Sequence, residues 1–176
     1  IERIAPAALR PGHADALGRD LAALHDAGAD AFGAPPAGWT GDGFIGDAAL
    51  PLRPEDTWGV FHARHRIAPY LAGAGLDAAQ RGVLAQLCAR LERGDFDDAA
   101  PPARLHGDLW SGNVLASTAG AVLIDPAAHG GHRVTDLSML ALFGAPHLGR
   151  VLSAYAAAST HLPDGWRDLI GLHQVH

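Results

Sequence analysis

Between residues 106 and 125 the chain reads His106-Gly107-Asp108-Leu109-Trp110-Ser111-Gly112-Asn113, and then an apolar run, Val122-Leu123-Ile124, closed by Asp125 and Pro126. This segment leaves the fold least freedom. A short loop separates Asp108 from Asn113, and a β-turn between two short strands then carries Asp125 back beside Asn113. The fold must therefore hold a β-hairpin whose open end presents three oxygen-bearing side chains. Asn113 is the only asparagine in 176 residues. Gly107 and Gly112 let the backbone of this loop pass close to whatever binds there.

The pattern H-x-D-x₄-N has the spacing of a phosphoryl-transfer loop, with Asp108 as general base and Asn113 as a metal ligand. That chemistry needs a hydroxyl held in line with a γ-phosphate, and Mg²⁺ to neutralise the phosphate oxygens. Mg²⁺ takes oxygen ligands, usually one or two from side chains with the rest from phosphates and waters. Asn113 offers a neutral amide oxygen and Asp125 an anionic carboxylate, while Asp108 faces the substrate hydroxyl. The competing reading is a polar loop whose Asp and Asn merely cap turns.

Composition bounds the alternatives. A hydrophobic content of 48% with 18% charged residues describes a soluble globular chain, one domain or one lobe of something larger. A net charge of −6 and no basic run argue against nucleic acid as a partner. No apolar run is long enough to span a bilayer, so no membrane partner is expected. Cys88 is the single cysteine and cannot form an internal disulfide, which fits a reducing cytoplasm. All thirteen basic residues are arginines. Enzymes of this mechanism grip the α/β-phosphates with a lysine on a small amino-terminal lobe, beneath a Gly-rich loop. Neither element is visible, no signal-peptide pattern opens the chain, and its first residue is Ile1. The expectation is a carboxy-terminal lobe without its nucleotide-gripping half, its uncovered apolar face open to self-association.

The hydrophobic pattern is mostly helical. Residues 13–27 carry Leu17, Leu21 and Leu24 at helical spacing up to Gly28. Residues 29–52 read as a long loop pinned by Phe32, Trp39 and Phe44. Trp58, Phe61, His65 and Leu71 mark a second helix that Pro69 bends or ends. Asp77 and Gln80 form a capping-box pattern for a third, with Val83, Leu84, Leu87 and Leu91 as its apolar face and Gly94 as its stop. Residues 95–103 form an acidic, proline-ended linker. Strands are expected near 104–106, 114–117 and 122–124, forming one small β patch. A helix follows from Thr135 or Asp136 with Leu137, Leu140 and Leu142 in its core, and two more lie near 147–159 and 164–173. The fold class is α+β, mostly α, a single lobe over 1–176 with its active loops on the β patch. The pairs His62/His65 and His129/His132 have spacing a metal can use but lack a third ligand. Asp95, Asp97 and Asp98 read as solvated linker, and Cys88 as buried packing.

The run LHGDLWSGN at 105–113, with Leu123–Asp125, Gly131-His132-Arg133 and Asp136-Leu137, resembles the fructosamine/ketosamine-3-kinase family. Trp110-Ser111 is the discriminating pair. Further matches are Leu21-Ala22-Ala23-Leu24-His25, Gly43-Phe44-Ile45-Gly46, Trp58 with Phe61 and Arg66, Leu142-Phe143-Gly144, Tyr155 and Gly165-Trp166-Arg167. The chain departs from the family at Ala128-His129-Gly130 and at Asp42. The resemblance implies the larger lobe of a protein-kinase-like fold, shared with aminoglycoside phosphotransferases. It implies ATP-dependent phosphorylation of the 3-hydroxyl of ketosamines, small or protein-bound, a deglycation repair. In that reading Asp108 is the base and Asn113 and Asp125 hold Mg²⁺. Trp110 and His132 contact substrate, while His106, Arg133 and Asp136 support the loop. A related kinase of aminoglycosides or choline, or a lobe that only binds a ligand or partner, are the alternatives.

Overall fold

Helix α1, Pro11–Asp26, begins with a proline at its first position, where a missing N–H costs nothing. Its buried stripe, Ala14, Leu17, Gly18, Leu21, Ala22 and His25, follows helical spacing and packs on α5, Leu148–Ala158. Val151 and Tyr155 of α5 and Val134, Leu137 and Leu140 of α4 (Val134–Phe143) complete the main core together with Leu109 and Trp166. The computed structural model describes residues 3–5 and 7–175.

A second cluster gathers Phe32, Trp58, Phe61, Ala63, Ile67 and Leu91 around α2, Trp58–His62. Thr57 caps α2, its side chain accepting from Val60 N. The helix then runs through a π-turn at Ala63–Ile67 into a 3₁₀ turn at Ala68–Tyr70, where Pro69 ends it. Helix α3, Ala78–Glu92, has the expected capping box between Asp77 and Gln80. Its apolar face is covered toward its end: Leu91 is buried and Leu87 packs half-buried on the second cluster, whereas Val83 is 65% exposed. Leu142 is likewise exposed rather than in the core of α4. It lies two residues beyond Leu140 and so rotates off the stripe that Leu137 and Leu140 share. A 3₁₀ turn at Trp166–Leu169 leads into the short α6, Ile170–His173.

Among the described residues the expected single β patch is three separate two-stranded antiparallel ladders. Strands β1 (Gly43–Ile45) and β2 (Ala48–Leu50) make a hairpin inside the stretch read as loop. Asp42 ties its base by accepting from Leu52 N and the Arg53 guanidinium. Of the three aromatics expected to pin this stretch, Phe32 is buried, whereas Trp39 and Phe44 are more than half exposed. Strand β3 (Ala103–Leu105) pairs with β6 (His129–Gly131), and β4 (Val114–Ala116) with β5 (Ala121–Leu123). The acidic linker is not merely solvated. Asp97 accepts from Gly59 N at the start of α2, and Asp98 pairs with His132. Cys88 is half-buried against the second cluster, and burial pushes its thiol pKa up.

Candidate active site

The loop between β3 and β4 is fixed from beneath by one carboxylate. Asp136, in the first turn of α4, is 1% exposed. Its Oδ2 accepts from His106 N at 2.8 Å and its Oδ1 from Gly107 N at 3.0 Å. His25 Nε2 also donates to Oδ2, at 3.1 Å, and the Tyr155 hydroxyl donates to His25 Nδ1 at 2.7 Å. Burial alone would raise the Asp136 pKa. The hydrogen bond from His25, helped by the two loop amides, outweighs it and holds the carboxyl below its ordinary range. Burial pushes the Tyr155 phenol up to about 12, so it stays a donor.

On this base the loop closes on itself. His106 Nε2 donates to Ile124 O at 2.9 Å, and its Nδ1 accepts from Asp108 N at 3.3 Å. One ring thus links the residue before Asp125 to the backbone of Asp108. Gly107 has φ +83°, and a Cβ there would collide with the carbonyl of Ala127. A Cβ on Gly112 would strike the indole of Trp110, which lies against the loop backbone.

Asn113 Nδ2 donates to both the backbone O of Asp108, at 2.8 Å, and its carboxylate Oδ2, at 3.0 Å. The proposed base and metal ligand are therefore in direct contact. Ile124 N donates to Asn113 O at 3.1 Å, extending the β4–β5 ladder to the residue before Asp125. Asp125 is exposed and adopts φ +50°, a left-handed conformation that Asp tolerates better than most residues. The three oxygen-bearing residues thus cluster at the open end of one hairpin. Because the Asn113 amide nitrogen is committed to Asp108, its oxygen is the atom available to a cation. An amide oxygen with a carboxylate is a hard donor set of the kind Mg²⁺ takes. Among the described residues no group of three His, Cys, Asp or Glu is placed to hold a metal.

The remaining sequence-derived residues fall in different places. Trp110 is 41% exposed, two positions from Asp108, and meets Phe143 edge-on with ring centroids 6.1 Å apart. His132 is buried. Its Nε2 is 3.1 Å from Asp98 Oδ2 and its Nδ1 accepts from Val134 N, while its ring packs beside Trp58 and His173. It lines a small cavity together with Gly107 of the loop. Burial opposes ionisation of Asp98, but the hydrogen bonds from His132 and from Ala100 N prevail and lower its pKa. Arg133 does not brace Asp136. Fully buried, it donates to Asp26 Oδ1 at 2.6 Å and to Ser159 Oγ at 3.1 Å, joining the end of α1 to the end of α5. His25, Tyr155 and Phe143 carried no role in the sequence reading. Nothing local signals that His25 faces Asp136, 111 positions away, or that Phe143 meets Trp110.

Comparison with known proteins matches this arrangement to one group. The sequence pattern of the fructosamine kinase family fits residues 2–168. A probable ketoamine kinase of Synechocystis is 38% identical over 73% of this chain and 42% of its own length. The ketosamine-3-kinase of Mus musculus is 32% identical over 69% of this chain and 40% of its own. A crystal structure from Thermobifida fusca, provisionally named a fructosamine-3-kinase, superposes with TM-score 0.87 at 46% identity. It covers 99% of this chain and 60% of that one. The chain spans about half the length of the curated relatives it matches. With its loop, its hairpin and nearly its whole length accounted for by these matches, the chain belongs to the fructosamine kinase family.

Proposed function

We propose that the whole protein transfers the γ-phosphoryl group of ATP to the 3-hydroxyl of a ketosamine, and that this chain is its larger, acceptor-side lobe. One observation carries the reading: in a fructosamine kinase, Asp108 and Asn113 share a 3.0 Å hydrogen bond at the mouth of a hairpin that also ends in Asp125. Mg²⁺, when bound, neutralises charge on the phosphate oxygens, and Asn113 and Asp125 are the residues that would hold it. Asp108 orients the 3-hydroxyl and accepts its proton as the oxygen attacks phosphorus. Asn113 fixes the carboxylate rotamer so that the second oxygen of Asp108 faces the acceptor. His106 and Asp136 hold the loop backbone, and Trp110, laid flat and partly exposed, offers the sugar a face to stack on.

The product is a 3-phosphate whose adduct is unstable and falls away from the amine, a repair of glycated metabolites or protein. The test is an ATP-consumption assay of the whole protein with a ketosamine, choline and an aminoglycoside side by side. The reading requires turnover with the ketosamine; turnover confined to choline or the aminoglycoside overturns it. The 176-residue chain by itself is expected to turn over negligibly. It has no lysine for the α/β-phosphates, and a general base alone contributes only ~10²–10⁴-fold. Robust phosphorylation by the isolated chain contradicts that expectation.

A further inference from the structure

A buried cation lies next to the active loop, and among the described residues no acid pairs with it. Arg66, in the π-turn after α2, is 6% exposed. Its Nη1 donates to the carbonyls of Pro51 and His65 at 2.8 and 2.9 Å, and the guanidinium sits 4.4 Å from the centre of the Phe61 ring. Its Nη2 is buried and has no hydrogen-bond partner among the described residues. Glu55, on the segment before α2, is engaged by His65 and Arg64 instead. Burial pulls the Arg66 pKa down to about 10, with only the Tyr70 phenol acting the other way.

A cavity of about 30 Å³ opens beside this guanidinium. Its walls include His62, His129, His132 and Gly107, and the β1–β2 hairpin covers it with Ile45 and Leu50. That volume admits one oxygen-sized group. An uncompensated buried charge is costly, and a guanidinium with a spare donor is shaped for a carboxylate.

We propose that Arg66 and this cavity form an anion subsite of the acceptor pocket, which takes one oxygen of the α-carboxylate of a glycated free amino acid. This rests on the ketosamine reading above. Gly107 lies in the cavity wall and directly precedes Asp108, so an anchored carboxylate is held close to the base. In a sugar adduct of an α-amino acid, a short run of single bonds joins the carboxylate to the reacting 3-hydroxyl. In an adduct on a protein lysine, the corresponding carboxyl is tied up in a peptide bond far along the side chain. The subsite therefore selects adducts of free amino acids over glycated protein.

The test compares N-fructosyl-glycine with N-fructosyl-methylamine, which lacks only the carboxylate, using the whole protein. Kd by titration calorimetry and kcat/KM are read for both. The subsite predicts a preference of roughly tenfold or more for the glycine adduct. In Arg66→Met the ratio falls toward one, and Arg66→Lys restores part of it. Equal binding and turnover of the two compounds by the unaltered protein overturns the subsite and leaves the kinase reading standing, as does a preference that survives in a folded Arg66→Met. Failure to bind or phosphorylate either compound overturns both. The comparison in the unaltered protein decides the question even if Arg66→Met does not fold.

Discussion

Helices α1 and α3 are nearly equal in length, and the one with the better local signals does less for the site. Helix α3 opens with a complete capping box, yet buries only Leu91. Helix α1 has no side-chain cap, yet it buries six residues and delivers His25 to Asp136 beneath the loop. Local signals decide where a helix starts. Tertiary burial decides what it holds in place.

The largest break in that comparison is Asp136→Ala. It leaves His25 and the amides of His106 and Gly107 without their acceptor in a buried setting, and should cost about 3–5 kcal/mol. Denaturant unfolding measures it; a loss under 1 kcal/mol would mean that α1 and the loop are held some other way. The same residue sets an acid limit. Its carboxyl is depressed below the ordinary 3.8 on folding, so its contribution is complete above that value and lost as pH falls through the lower folded value. Asp136→Asn should therefore flatten the melting temperature against pH in that acid range, whereas an unchanged slope would assign the acid sensitivity to other groups.

The α3 side should respond far less. Asp77→Ala removes the cap and should cost ~1 kcal/mol, read by the same unfolding. Val83→Ala, on a surface 65% exposed, should stay within about 0.5 kcal/mol. A loss of several kcal/mol at Val83 would reveal a partner seated on α3.

The split also explains what could be read from sequence. The Asp108–Asn113–Asp125 arrangement was legible because it is built from one loop and one hairpin, within eighteen residues of chain. The cap at Asp77 and the stop at Gly94 were legible for the same reason. The hairpin 43–50 and strand β6 were missed because their strands are three residues long, too short to show a period-2 pattern, and are diluted by glycine and alanine. Leu142 and Val83 were assigned to buried faces because an apolar residue near the right spacing looks the same whether or not something covers it. The support of Asp136 by His25 and Tyr155 depends on helices that meet only in the folded chain. The role expected of Arg133 went instead to His25, while Arg133 joins α1 to α5.

The central claim is that Asp108, held by Asn113, is the base of a ketosamine kinase. Its most direct test is Asp108→Asn in the whole protein, with ketosamine phosphorylation and melting temperature measured on the same preparation. The account predicts a fall in kcat of at least ~10²-fold with the melting temperature nearly unchanged. Phosphorylation at the unaltered rate by a folded Asp108→Asn would contradict it.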